Sequence, residues 1–159
     1  MKKLLFAAFA ALALCSCNGE REYLDYNGLS MGLPAGQFID SIKARGFVVD
    51  TLHSSDDLLV FTHPGETFTL AVAKDTAGIV AVEETYSASY NDSTRQLWQE
   101  KRDRYAEELD MMPGVPHHGD DHKEAIFDTR KGALTVLLQN TYTPTLIVRF
   151  ERDSKLTEK

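Results

Sequence analysis

The chain has 159 residues, of which 43% are hydrophobic and 26% charged, and its formal net charge is −7. This composition is typical of one globular domain and excludes a disordered or collagen-like chain. Because nucleic-acid phosphates attract basic proteins, the acidic balance predicts that nucleic acid is not a partner.

The N-terminus has the parts of a bacterial export signal. Lys2 and Lys3 form a positive segment, and an unbroken apolar run extends from Leu4 to Leu14. A membrane span needs about 20 apolar residues, so this run is too short to cross a bilayer and has the length of a signal-peptide core. We therefore predict a signal peptide over residues 1–16.

The end of the apolar run, Leu14-Cys15-Ser16-Cys17, resembles the lipobox of bacterial lipoproteins. The resemblance implies that Cys17 carries the lipid and becomes the first mature residue. Acyl chains contribute about 0.8 kcal/mol per buried CH₂, so we expect membrane attachment through the lipid on Cys17. Residues 17–30 are predicted to form the lipidated cysteine and a short polar tether, and residues 31–152 the domain.

Asn18 follows the predicted lipidation site. Enterobacterial lipoproteins that stay in the inner membrane carry Asp at that position. The resemblance therefore implies a cell-envelope protein attached to the outer membrane, and both the periplasmic and the outer surface are compatible with the sequence.

Residues 34–46 are predicted to form the first helix. Pro34 suits a first turn, whose N–H groups have no partner within the helix. Phe38 and Ile42 are four residues apart and share one face. Gly46 stands where helices commonly end in a left-handed residue.

Four strand-like runs follow, at residues 47–52, 58–63, 68–74 and 79–86. In the third run, Phe68, Leu70 and Val72 alternate with other residues, which is the period of a strand. Short connections with turn-forming residues favour antiparallel pairing. Glu83 and Glu84 in the fourth run face opposite sides and cannot act as an acid pair, so we interpret them as a strand end that rises into solvent.

Residues 93–112 are predicted to form the second helix. Ser93 and Gln96 fit a capping box at its start. Its stripe, at spacings of three and four, consists of Trp98, Arg102, Tyr105, Leu109 and Met112. The last strands are predicted at residues 124–130, 133–139 and 145–151, followed by a charged tail at 153–159.

The predicted order is α-β-β-β-β-α-β-β-β. Runs of strands separated by single helices indicate an α+β domain, with an antiparallel β-sheet and two helices packed on one face. The other face is expected to be partly open to solvent.

This order resembles that of small lipoproteins of Bacteroidetes, as do the segments Met31-Gly32-Leu33-Pro34 and Lys43-Ala44-Arg45-Gly46-Phe47. The domains of those lipoproteins are similar to the β-lactamase-inhibitor-protein and SmpA/OmlA types. The resemblance implies a non-catalytic module that binds proteins or scaffolds envelope complexes, with an envelope protein as its partner. No contact residue is carried over from it.

Histidines and carboxylates cluster at His117–His122, where the sequence is HHGDDH. Such groups at close spacing bind Zn²⁺ or other divalent ions. The sets that would face together in an extended chain are His118, Asp120 and His122, or His117 with Asp121. The flanking Pro and Gly residues favour a solvated polar loop, so we expect neither a metal nor another cofactor. The alternative function is a metal-dependent or hydrolytic periplasmic enzyme that uses this segment.

Motifs of common enzyme classes, such as G-x-S-x-G, H-E-x-x-H and the Gly-rich phosphate loops, do not occur in the sequence. We therefore predict no catalytic residues and a protein that is not an enzyme. Tyr90 and Tyr142 fall in predicted loops. Because exposed tyrosines are favoured in protein interfaces, we expect these two to contact a partner.

Two short segments, Asp75-Thr76-Ala77 and Asp92-Ser93-Thr94, resemble the acceptor sequence of Bacteroidetes O-glycosylation. The resemblance implies modification at Thr76 and Ser93. Both residues lie in predicted turns, which an enzyme can reach.

Overall fold

The computed structural model describes residues 23–87, 91–119, 122–139 and 143–153. The predicted signal peptide, its lipidation site Cys17 and all but the first residue of the charged tail lie outside them. In the described part of the chain, no helix is both long and apolar enough to cross a membrane.

Each predicted helix and strand has a counterpart in the structure. The helices are α1 (Ala35–Ala44) and α2 (Asn91–Glu108). The strands are β1 (Asp25–Tyr26), β2 (Leu29–Ser30), β3 (Val48–Val49), β4 (Leu58–Thr62), β5 (Phe68–Asp75), β6 (Gly78–Ser87), β7 (Gly114–His118), β8 (His122–Thr129), β9 (Gly132–Gln139) and β10 (Thr145–Arg152). Strands β1, β2 and β7 are additional to the predicted ones.

Eight strands form one antiparallel sheet in the order β3-β4-β5-β6-β10-β9-β8-β7, and β1 pairs with β2 separately. The predicted fold class, α+β with an antiparallel sheet and two helices, is confirmed. The first half of the sheet meets the second where β10 pairs with β6, with Val148 opposite Glu84 and Leu146 opposite Tyr86. The last strand therefore joins both halves of the chain in one sheet.

Both helices pack on one face of the sheet, the covered face. Its buried strand residues alternate along each strand and include Leu70, Val72, Val82, Tyr86, Phe127, Leu134, Leu138, Leu146, Val148 and Phe150. Helix α1 adds Phe38 and Ile42 to this core, and α2 adds Trp98 and Tyr105. The indole Nε1 of Trp98 donates to the carbonyl oxygen of Val136 at 3.0 Å, which fastens α2 to β9.

The opposite face of the sheet is the open face. It is formed by the strand residues that alternate with the buried ones, among them Val60, Ala71, Ala73, Ala81, Glu83, Thr85, Ile126, Ala133, Thr135, Leu137, Ile147, Arg149 and Glu151. Most of these are half-buried. At the β3–β4 end, Val48 and Leu58 are 61% and 40% exposed. This arrangement matches the expected face that is partly open to solvent.

The end of α1 follows the prediction. Gly46 has a φ of +94°, and its N–H donates to the carbonyl oxygen of Lys43 at 2.9 Å. A Cβ on this residue would lie 2.7 Å from Nε2 of His63. Both the left-handed backbone and the close imidazole therefore require glycine.

The domain begins earlier than predicted, because residues 23–30 belong to it and not to a tether. Strands β1 and β2 flank Asn27 and Gly28, whose φ values of 48° and 75° fit a type I′ turn. Leu24 and Tyr26 are 4% and 2% exposed, so this hairpin is part of the core. Strands of two residues are too short to show alternation, and only the Asn-Gly pair could have indicated them.

Helix α2 is displaced towards the N-terminus relative to the predicted range. Ser93 lies in its first turn and not before it. At the other end, Asp110 has a φ of 48°, and the N–H of Met111 donates to the carbonyl oxygen of Ala106 at 3.1 Å. Met112 is 85% exposed and does not continue the stripe. The least exposed residues of α2 that share one side are Thr94, Trp98, Lys101 and Tyr105.

Candidate functional site

The histidine segment is a strand hairpin at the edge of the sheet, and the prediction of a polar loop is wrong. Strand β7 pairs with β8, and His117 lies directly opposite Glu124. The register shifts between Gly114 and His117, and Pro116 lies within this irregular stretch. Pro and Gly residues weaken central strands but are tolerated in an edge strand with a bulge. Their presence in this segment is therefore compatible with a strand and does not indicate a loop.

The predicted ligand set of His118, Asp120 and His122 is not brought together. The His118 ring lies on the covered face, with its centroid 6.4 Å from that of Trp98. The chain reverses between Gly119 and His122, and the N–H of Gly119 donates to the carbonyl oxygen of His122 at 2.8 Å. His122 pairs with Gln139 and lies on the open face. Asp120 and the aspartate after it lie outside the described residues. The prediction was wrong because it assumed a straight strand through a turn.

A different set of ligand-type side chains meets on the open face. It consists of His117, His122 and Glu124, one ligand atom from each lying within 4.8 Å of the others. The two imidazole centroids are 5.1 Å apart, with their planes at 84°. Nδ1 of His117 is 3.2 Å from Oε2 of Glu124.

A second cluster of polar groups lies inside the covered face, around the carboxylate of Glu84. Oε1 accepts from the hydroxyl of Tyr26 at 2.9 Å, and Oε2 accepts from the hydroxyl of Tyr86 at 2.6 Å. Nζ of Lys101 is 3.4 Å from Oε2 and donates to the Tyr86 hydroxyl at 2.7 Å. Glu84 is only 2% exposed. Its expected position on a strand end in solvent is therefore wrong.

Both oxygens of the Glu84 carboxylate are occupied by hydrogen-bond donors of the cluster. Burial, and then the charge of Glu84, raise the pKa of Tyr26 and of Tyr86 well above that of a free phenol. Both phenols therefore stay protonated at neutral pH and donate to the carboxylate. Since Glu84 is bonded to three donors, the cluster fastens the β1–β2 hairpin, β6 and α2 together.

A cleft of about 330 Å³ opens above this cluster. Its wall contains an aromatic row in which Phe47 lies 6.0 Å from Phe68, and Phe68 lies 4.9 Å from Tyr86, between ring centroids. Arg45 and Arg104 also line it. Nη1 of Arg45 donates to the carbonyl oxygen of Asn27, and Nε of Arg104 donates to Glu108, so both guanidinium groups already have protein partners.

The sequence carries a signal for this cluster. Val82, Glu84 and Tyr86 follow one another at a period of two in the fourth strand-like run, so they share one face. Lys101 follows Trp98 by three residues and precedes Tyr105 by four, so it belongs to the buried side of the helix. Two charges on predicted core faces indicate a buried ion pair.

Two of the remaining predicted sites, Thr76 and Ser93, lie on the surface of the described part of the chain. Thr76 is exposed at the tip of the β5–β6 hairpin, where Oδ1 of Asp75 accepts from the N–H of Ala77 at 2.8 Å. Ser93 is exposed on the first turn of α2. Tyr90 and Tyr142, the predicted contact residues, lie outside the described residues.

The open face also carries a shallow pocket of about 240 Å³. Its apolar wall consists of Leu58, Ala71, Ala73 and Ala81. Glu83 and Arg149 border it, with Nη1 of Arg149 3.8 Å from Oε2 of Glu83 and Nη2 2.7 Å from Oε1 of Glu151. The pocket has the size of one side chain and lies near the middle of the sheet.

Comparison of the chain with protein-family models, with curated proteins and with solved structures finds no match.

Proposed function

We propose that this protein is a lipid-anchored module of the cell envelope that binds another protein through the open face of its sheet. It is attached to the outer membrane by the lipid on Cys17 and performs no catalysis. The single observation that carries the proposal is the open face itself, with its half-buried aliphatic side chains and one central pocket. Contiguous apolar surface rimmed by polar groups is typical of protein interaction sites.

The small side chains around the pocket make it suited to one anchoring group of a partner. Ala71, Ala73 and Ala81 lie side by side on neighbouring strands, and Leu58 closes one side. An aliphatic or aromatic side chain inserted there would be buried at the centre of the interface, where binding energy concentrates.

The charges of the open face determine what kind of surface fits it. Glu83, Glu124, Asp128 and Glu151 share this face with Arg149. Acidic residues outnumber basic ones, and the whole chain is acidic. A second copy of the chain would therefore be repelled, and the partner is expected to present basic groups around an apolar anchor.

The test is site-specific photo-crosslinking in living cells of the source organism. A benzophenone amino acid is placed at Thr135 or Thr85 on the open face, and at Glu107 on the exposed side of α2 as a matched control. We expect the two open-face positions to give an adduct with the same protein and Glu107 to give none. Adducts that are equally strong from all three positions contradict the proposal.

A substitution in the pocket then separates specific binding from proximity. Ala71→Arg fills the pocket, whereas Glu107→Arg introduces the same side chain on α2. We expect the first variant to lose the Thr135 adduct and the second to retain it. An adduct of the protein with itself would identify a second copy as the occupant, and no adduct from the open face would exclude a stable partner there.

A further inference from the structure

The β7–β8 hairpin brings three metal-ligating side chains together at one end of the open face. We propose that His117, His122 and Glu124 bind a zinc ion. This ligand set, two imidazoles and one carboxylate, is one that Zn²⁺ accepts in proteins. The proposal rests on the hairpin geometry and does not depend on protein binding by the rest of the open face.

The backbone of two paired strands positions the three ligands. His117 and Glu124 are directly opposed residues of paired strands, and His122 lies two residues before Glu124 on the same face. Side chains that are opposed or diagonal in an antiparallel pair are within reach of one another. The hairpin end is closed by the hydrogen bond between Gly119 and His122.

Gly119 lies opposite His122 at the end of the hairpin. A Cβ there would meet the carbonyl oxygen of His122 at an ordinary contact distance of 3.5 Å. The two rings are already 5.1 Å apart between centroids.

The distances require only side-chain rotation to reach metal coordination. Zn–N and Zn–O bonds of about 2.0–2.2 Å place ligand atoms of a tetrahedral site about 3.4 Å from each other. The candidate atoms lie within 4.8 Å. The side chain of His117 is 65% exposed, and that of Glu124 is 22% exposed, so both can turn towards an ion that enters from solvent. With three protein ligands, the fourth position stays open to water.

The adjacent histidine provides an internal control. His118 is next to His117 in the sequence, but its ring packs by Trp98 on the covered face. A second control is His53, whose Nδ1 is 2.7 Å from Oδ2 of Asp50. This pair combines an imidazole with a carboxylate, as His117 and Glu124 do. Among the described residues it has no third ligand-type side chain beside it.

The experiment is a titration of the full-length protein, purified in detergent and treated with chelator, with Zn²⁺ alone, followed by calorimetry. Co²⁺ is used in parallel because its visible spectrum reports the coordination geometry. We expect one saturable site, and a loss of affinity of at least about tenfold in each of His117→Ala, His122→Ala and Glu124→Gln. His118→Ala and His53→Ala should bind as the unchanged protein does.

Folding of each variant is checked by its circular dichroism and thermal melt, and His122→Gln serves as a milder replacement if His122→Ala is misfolded. Zinc binding that survives the combined change of His117 and His122 to Ala overturns the proposal. So does the absence of a saturable site in the unchanged protein, or an equal loss in His118→Ala. Weaker binding confined to the three ligand variants supports it.

Discussion

Glu84 shows how a single buried charge can organise its neighbours. An isolated carboxylate inside a protein is costly, and the cost is offset only where donors surround it. Tyr26, Tyr86 and Lys101 come from three different elements and all bond to this group. Each of these side chains therefore has its position determined by Glu84, and the carboxylate in turn specifies how the hairpin and α2 lie on the sheet.

The raised pKa values of the tyrosines in this cluster predict that the protein loses stability at alkaline pH. Burial, followed by the charge of Glu84, raises the pKa of Tyr86 in the folded protein above its ordinary value of 10.0. Above about pH 10 the unfolded chain releases this proton while the folded chain keeps it. The stabilising contribution is thus complete below pH 10 and is lost as the pH rises towards the folded pKa.

Tyr86→Phe should therefore weaken the dependence of the free energy of unfolding on pH between about pH 10 and 11.5. One such group changes the slope by up to about 1.4 kcal/mol per pH unit. Urea unfolding of both proteins across this range measures it. The variant will also be less stable at pH 7 because Glu84 loses a donor, so the slope and not the absolute value is the decisive quantity. Identical slopes would contradict the assignment.

At the scale of elements, α2 is held to the sheet chiefly by Trp98. Its side chain is 1% exposed, and its Nε1 donates to Val136. The guanidinium of Arg102 lies 5.1 Å and Nζ of Lys123 lies 5.7 Å from the ring centroid, so cations flank the indole. The helix thus combines apolar burial with one specific hydrogen bond at this residue.

Trp98→Ala should lower the free energy of unfolding by about 3–5 kcal/mol, because it leaves a cavity and removes the hydrogen bond from the indole to Val136. Denaturant unfolding monitored by far-ultraviolet circular dichroism measures this change. Met112→Ala is the matched control, since Met112 was predicted on the same stripe but is 85% exposed, and it should stay within about 0.5 kcal/mol. A change below about 1 kcal/mol in Trp98→Ala would contradict its role in the core.

The β1–β2 hairpin depends on the backbone of Gly28. Its φ is +75°, and a Cβ there would meet no atom within 4 Å. A substitution therefore costs conformational strain and no steric clash. We expect Gly28→Ala to lower the free energy of unfolding by about 1–2 kcal/mol, and Gly28→Asn to lower it less, because Asn adopts the left-handed region more readily. Thermal and denaturant unfolding of the two variants compare these effects. Equal losses in both would contradict the turn assignment.

The long elements were predictable from the sequence because each has several periods of its own pattern. Phe68, Leu70 and Val72 specify a strand face without any reference to the rest of the chain. Strands β1 and β7 could not be predicted in this way. The first has two residues, and the second contains Pro116 and gains its partner only through the reversal after Gly119. The meeting of His117, His122 and Glu124 depends on that reversal, so neither of the two sets that spacing offered matches this group.

At the scale of the whole molecule, the two faces of the sheet differ in the groups that they present. The covered face contains the helices, the aromatic core and the Glu84 cluster, which together stabilise the fold. The open face contains the apolar pocket and the three candidate zinc ligands, which the fold does not need for its core. If the open face binds a partner as proposed, substitutions there should alter binding with little effect on stability.

Attachment of the domain to a membrane depends, in our proposal, on Cys17. If the lipobox is read as its sequence implies, Cys17→Ala leaves a precursor that is neither acylated nor cleaved by the lipoprotein pathway. We expect cells that express this variant to incorporate no radiolabelled palmitate into the protein, whereas the unchanged protein is labelled.

Cys15→Ala is the matched control for this experiment, because Cys15 lies two residues before the lipidation site, where lipoboxes accept small residues. Cys15→Ala should be labelled as the unchanged protein is and should remain in the membrane fraction. Cys17→Ala should be released from that fraction or be held in it only by its uncleaved apolar segment. An acylated mature cysteine carries more than one chain, and two chains anchor a protein stably where a single one does not. Label that persists in Cys17→Ala and disappears in Cys15→Ala would move the lipid to the other cysteine.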